Sequence, residues 1–171
     1  MPPLIALALI AACAACAGES DTAGAADLAA TAGPPPPFFL VAQLPGEATP
    51  VVLPRDPTAH DLPILPLVLG GQGFWMVIPR VAAAVAWPGR LRLKLWLERD
   101  GDGYPLQEGA QAQVKLEPTA SGWSTPDLPL ILGQPCAAVG HVVHARVTVY
   151  TVTSQQDLDG VFRVSWPGQC P

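Results

Sequence analysis

The chain is 171 residues long, with 50% apolar, 13% charged and 6% aromatic residues, and it carries 21 Pro and 16 Gly. That length accommodates one domain or at most two, and a Pro plus Gly share of about 22% stays below the range that marks low-complexity chains. A formal net charge of −5 and a pI near 4.9 leave no basic footprint for phosphate-backbone recognition, so nucleic acid is not expected as a partner.

Residues 4–12 form an uncharged apolar run, far short of the roughly 20 residues that span a bilayer as a helix. The run reads as the hydrophobic region of an export signal. Ile10-Ala11-Ala12-Cys13 resembles the lipobox of bacterial lipoproteins. The resemblance implies cleavage before Cys13, a diacylglycerol on its thiol and anchoring to a membrane. A thiolate is the nucleophile that lipid transfer needs, and two or three acyl chains hold a protein where one does not. Ala14 in place of Asp after the lipidated Cys points to outer-membrane delivery. Cys16 is a rival acceptor, although Cys13 would then occupy its −3 position, where Leu, Val or Ile is wanted. The alternative is a secretory signal cleaved within residues 11–17, which gives a soluble exported protein.

Residues 14–33 hold nine Ala and three Gly, with Leu28 the single large apolar side chain. Such a segment buries too little surface to offset its ordering entropy. It reads as a disordered tether stiffened by Pro34, Pro35, Pro36 and Pro37. The expected organisation is a signal peptide over 1–12, a lipidated Cys and tether over 13–37, and a folded domain over 38–171. From Phe38 onward there are nine basic and eleven acidic residues, so that domain is close to neutral.

The apolar runs at 38–44, 51–53, 64–69 and 74–78 are short and broken by Pro, which suits edge strands and strand ends. One helical turn fits 81–87. Residues 91–98 alternate Leu91, Leu93, Leu95 and Leu97 with Arg92, Lys94, Trp96 and Glu98, the period of a half-buried strand. Two Asp-Gly pairs at 100–103 suit the tight turn that ends it. Val114 with Leu116, and residues 130–132, add short strands. Val139, Val143, Ala145, Val147 and Val149 form one face of a long strand, with His144, Arg146, Thr148 and Tyr150 on the other. A turn over 155–160 leads into 161–166, where Phe162, Val164 and Trp166 face inward. The sum predicts an all-β, antiparallel sandwich of immunoglobulin-like type with about seven to nine strands.

In an exported chain Cys136 and Cys170 are free to pair. They flank the last hairpin, whose ends lie at the same end of the sheet, so a disulfide between them is expected. Two free thiols are the alternative, which an oxidising compartment disfavours.

Leu69-Gly70-Gly71-Gln72-Gly73-Phe74 resembles a Gly-x-Gln-Gly motif that precedes a strand in uncharacterised bacterial lipoproteins with a sandwich-like domain. The resemblance brings no activity with it. Physically, the glycines of Gly70–Gly73 permit a bulge or positive φ between two strands, with a ligand loop as the functional alternative. Asp100, Asp102 and Glu108 do not fit a calcium loop, because Pro105 and Gln111 fall where Gly and a bidentate Glu belong. His141 and His144 fall on opposite faces of a strand. No metal and no cofactor are expected, and no nucleophile elbow, phosphate loop or metalloprotease motif is present.

Trp96 stands out. The alternation points it away from the leucine face beside Arg92 and Lys94, where it is either covered by a loop or open to a partner. The expected function is therefore a non-enzymatic interaction or structural module on a lipid anchor in the cell envelope. Its partner would be a protein or a glycan, with Arg92, Lys94 and Trp96 as the binding surface. A carbohydrate- or small-ligand-binding protein is the alternative, and an envelope hydrolase stands behind it.

Overall fold

The computed structural model describes residues 38–166 together with Gly168 and Cys170. The expected signal peptide and tether, with Cys13 and Cys16, lie outside the described residues. The chain builds β1 (Phe38–Ala42), β2 (Val51–Val52), β3 (Ile64–Pro66), β4 (Val68–Leu69), β5 (Trp75–Val77), β6 (Pro79–Ala83), β7 (Leu91–Arg99), β8 (Pro105–Val114), β9 (Glu117–Thr119), β10 (Gly122–Ser124), β11 (Leu130–Ile131), β12 (Val142–Tyr150) and β13 (Gln155–Ser165), with one 3-10 turn at Pro135–Ala137. The strands exceed the expected number because several runs are cut into pieces of two or three residues.

One five-stranded sheet has the order β2-β1-β6-β10-β9, a second β3-β13-β12-β7-β8, and β11-β5-β4 form a small third sheet. Pairing is antiparallel except for β3, which runs parallel to β13. Without the short flanking strands, β1-β6-β10-β9 and β13-β12-β7-β8 reproduce the A-B-E-D and G-F-C-C′ orders of an immunoglobulin-like sandwich. The disulfide departs from the antibody pattern, since neither β6 nor β12 contains a Cys. Instead Cys136, in the 3-10 turn before β12, bonds Cys170 beyond β13, with Cα atoms 5.4 Å apart. Closing a loop of 34 residues stabilises the fold by about 3.8 kcal/mol in the chain-entropy picture.

The core lies between the two large sheets. Leu91, Leu93, Leu95 and Leu97 of β7, Val143, Ala145, Val147 and Val149 of β12, and Leu158, Phe162 and Val164 of β13 are buried, as are Phe38, Leu40, Val81 and Ala83 opposite them. Gly160 sits among them, and a Cβ there would stand 2.8 Å from Leu53 Cβ and 3.2 Å from Leu40 Cδ1. Glycine lets the sheets close at that point.

Four local expectations are corrected. The helical turn over 81–87 is absent: Val81, Ala82 and Ala83 belong to β6 and pair with β1, because two flanking strands outweigh the helix preference of Ala. The long strand begins at Val142 rather than Val139, since Pro135 opens the 3-10 turn and Gly140, at φ +80°, turns the chain after it. Residues 155–160 are strand. The turn comes earlier, where Thr151 Oγ1 accepts the Ser154 N–H at 3.0 Å. Finally β8 runs for ten residues, of which the alternation revealed only the end.

Candidate functional site: the outer face of the long-stranded sheet

The leucine-in alternation of β7 forces Arg92, Lys94, Trp96 and Glu98 outward. Register then fixes their neighbours. On β12, Arg92 lies opposite Tyr150, Lys94 opposite Thr148, Trp96 opposite Arg146 and Glu98 opposite His144. One strand farther, Tyr150 meets Gln155, Thr148 meets Asp157 and Arg146 meets Asp159. The three residues predicted as a binding surface thus share one face.

The structure divides them, however. The Arg92 guanidinium lies 4.7 Å from the centre of the Tyr150 ring and Lys94 Nζ 5.8 Å from it, so both cations turn toward Tyr150. Trp96, half-buried, instead lines an open groove of about 690 Å³ shared with Arg55, Glu98, His144, Arg146, Asp157 and others. Neither Arg92 nor Lys94 lines that groove.

Arg146 and His144 each sit between two of its carboxylates. Arg146 Nη2 lies 2.8 Å from Glu98 Oε1 and Arg146 Nε 3.8 Å from Asp159 Oδ1. His144 approaches the same two carboxylates, with Nδ1 3.8 Å from Glu98 and Nε2 3.5 Å from Asp159. The His144 Nε2 atom is buried and makes no hydrogen bond. The Arg146–Asp159 pair is open to solvent and adds little stability, and the groove holds both donors and acceptors rather than charge of one sign.

Sequence reasoning placed Trp96 on this face and missed the groove. Glu98 and Arg146 were visible as outward residues, yet their meeting depends on the β7–β12 register. Asp157 and Asp159 fell in the expected turn. Arg55 comes from the Pro-rich passage between β2 and β3, where no periodicity exists to read.

The other singled-out segments have structural roles. Gly70–Gly73 closes the β4–β5 hairpin: Gly70 N–H donates to the Phe74 carbonyl and Gly73 N–H to the Gly70 carbonyl, both at 2.9 Å, with Gly73 at φ +82°. Around it Val68, Leu69, Phe74 and Ile131 are exposed, with Val68 and Ile131 level with Met76 on either side of β5. In the β7–β8 turn, the Arg99 guanidinium, followed by the Tyr104 N–H, holds the Asp102 carboxyl down at about 2. Among the described residues no three His, Cys, Asp or Glu are grouped to hold a metal ion, and no helix is long and apolar enough to cross a membrane.

No protein-family model matches this chain, and no curated protein matches it. Its functional reading therefore rests on its own residues.

Proposed function

We propose that this protein is a lipid-anchored component of the cell envelope, delivered to the outer membrane. In this reading its sandwich domain is a non-enzymatic interaction module that binds through the outer face of the β13-β12-β7-β8 sheet. The observation that carries the reading is Trp96, half-buried on the solvent side of a sheet whose opposite side already holds a complete leucine row. The core does not need that indole. An aromatic anchor set on a rigid strand among polar side chains is the composition of a binding hot spot. The lipobox resemblance at Ile10–Cys13 supports the anchor, and the Ala- and Pro-rich residues 14–37 supply its reach.

Two measurements test the proposal. Cys13→Ala should move the protein from the membrane to the soluble fraction, whereas Cys16→Ala should not; a mature chain that starts elsewhere and carries no lipid by intact mass removes the anchor. Trp96→Ala should weaken retention of the full chain on isolated envelope material by about 30-fold, the equivalent of roughly 2 kcal/mol, while the melting temperature changes little. A variant that melts far below the parent would assign Trp96 to packing and overturn the binding role.

A further inference from the structure

The groove beside Trp96 and the exposed apolar side chains of the third sheet are chemically different, and the difference selects a ligand class. A protein hot spot of the usual kind sits in a desolvated, largely apolar patch. Here the exposed apolar side chains Val68, Leu69, Phe74 and Ile131 lie elsewhere, in and beside the third sheet. Trp96 instead shares its groove with the arginines Arg55 and Arg146 and the carboxylates Glu98, Asp157 and Asp159. A charged ligand would call for a field of one sign. Two arginines against three carboxylates, with Arg146 already bound to Glu98, provide no such field.

What matches is an uncharged molecule that donates and accepts hydrogen bonds along its edges and offers one apolar face to an indole. A pyranose ring has that form, with hydroxyls around its rim and C–H groups on a face. We infer that the groove binds a neutral oligosaccharide, with one sugar ring stacked on Trp96 and its hydroxyls bonded to Arg55, Asp157 and the Arg146–Glu98 pair. This inference rests on the reading of the outer face as the binding surface and adds the chemical class of its ligand. Apart from Arg55, the walls are strands β7, β12 and β13, so little ordering is left to be done on binding, and a volume of about 690 Å³ lies within the range of small-molecule sites.

The test titrates the full chain with neutral tetrasaccharides: β-1,4-linked glucose, β-1,4-linked N-acetylglucosamine and α-1,4-linked glucose. Binding is followed by calorimetry and tryptophan fluorescence at low and high salt. At least one tetramer should bind with an affinity that salt leaves unchanged, since no net charge is neutralised. Trp96→Ala should weaken it about tenfold or more, and Trp96→Phe should recover part of the loss through the smaller ring. Arg55→Ala, an exposed position outside the strands, should weaken it a few-fold without altering the melt, so the inference stays testable even if Trp96→Ala folds poorly. Binding that collapses in high salt, or that ignores both Trp96 and Arg55, overturns the inference. If no tetramer binds while envelope retention still requires Trp96, the sugar assignment falls and the binding face stands. Retention independent of Trp96 removes both.

Discussion

The two large sheets have five strands each, but they differ in how the sequence makes them. In the β3-β13-β12-β7-β8 sheet the four main strands run nine to eleven residues, with no Pro inside β7, β12 or β13. In the opposite sheet β1 and β6 have five residues and the rest two or three: Pro79 opens β6 and Pro118 sits inside β9, each without a ladder donor, while Pro45, Pro50 and Pro54 fall in the loops that flank β2. The β7–β12 and β12–β13 ladders run without a register shift, although β7–β8 is irregular between Leu95 and Glu98, and such long ladders keep the sheet in register. It can therefore carry Trp96, Arg146 and three carboxylates on its outer side without losing the inner row. The short-stranded sheet relies on side chains to complete its backbone bonding. Thr125 Oγ1 accepts the Val81 N–H at 3.1 Å, and the Gln156 amide, reaching over from β13, accepts the Phe38 N–H at 3.2 Å and donates to its carbonyl at 3.1 Å.

The largest expected effect tests which sheet holds the core together. Phe162 is fully buried at the centre of β13, and Phe162→Ala should destabilise the domain by about 3–5 kcal/mol, measured by denaturant unfolding. A loss below about 1 kcal/mol would place the main core elsewhere. The short-stranded sheet should respond instead to loss of a hydrogen bond. Thr125→Val preserves shape at a buried site and leaves the Val81 N–H unpaired, for an expected loss of about 1–3 kcal/mol. The same change would be nearly neutral if water could reach that amide, so a flat result would show that the short-stranded sheet is solvated where β6 meets β10.

The same contrast explains what could be read from the sequence. Period two over Leu91 to Leu97, and over the β12 valines, gave the strands, their buried faces and the outward Trp96, because burial on one side leaves that pattern in any single chain. The Cys136–Cys170 pairing followed from hairpin geometry. β8 was hidden for the opposite reason: as an edge strand with Ala110, Ala112 and Val114 only partly buried, its Gln and Ala residues show weak hydrophobic contrast. β6 was misread because Ala82 and Ala83 carry a local helix preference that only their partners in β1 and β10 override. The groove was illegible in principle, since Trp96, Arg146 and Asp159 come from three strands and meet through registers that no local pattern states.

The smallest effect belongs to the turn that ends β7, where the long sheet depends on a charge. Gly101 at φ +91° and Gly103 at φ +65° shape the turn by themselves, so the ion pair adds to a hairpin that already exists. Asp102 accepts from Arg99 Nε at 3.0 Å and from the Tyr104 N–H at 3.1 Å, and these donors lower its carboxyl from 3.8 to about 2. A folded-state value below the unfolded one means that the contribution is complete above about pH 4 and is lost as pH falls toward about 2. Asp102→Asn removes the charge and keeps an oxygen for the Tyr104 N–H. The variant should therefore melt slightly below the parent at neutral pH, and the two melting curves should converge between about pH 4 and pH 2. Because Asp102 is exposed, salt should shrink the difference at neutral pH as well. A carboxyl resonance of Asp102 that titrates at the ordinary carboxylate position, or a gap between variant and parent that persists at about pH 2, would show that the charge plays no part in holding this end of the sheet.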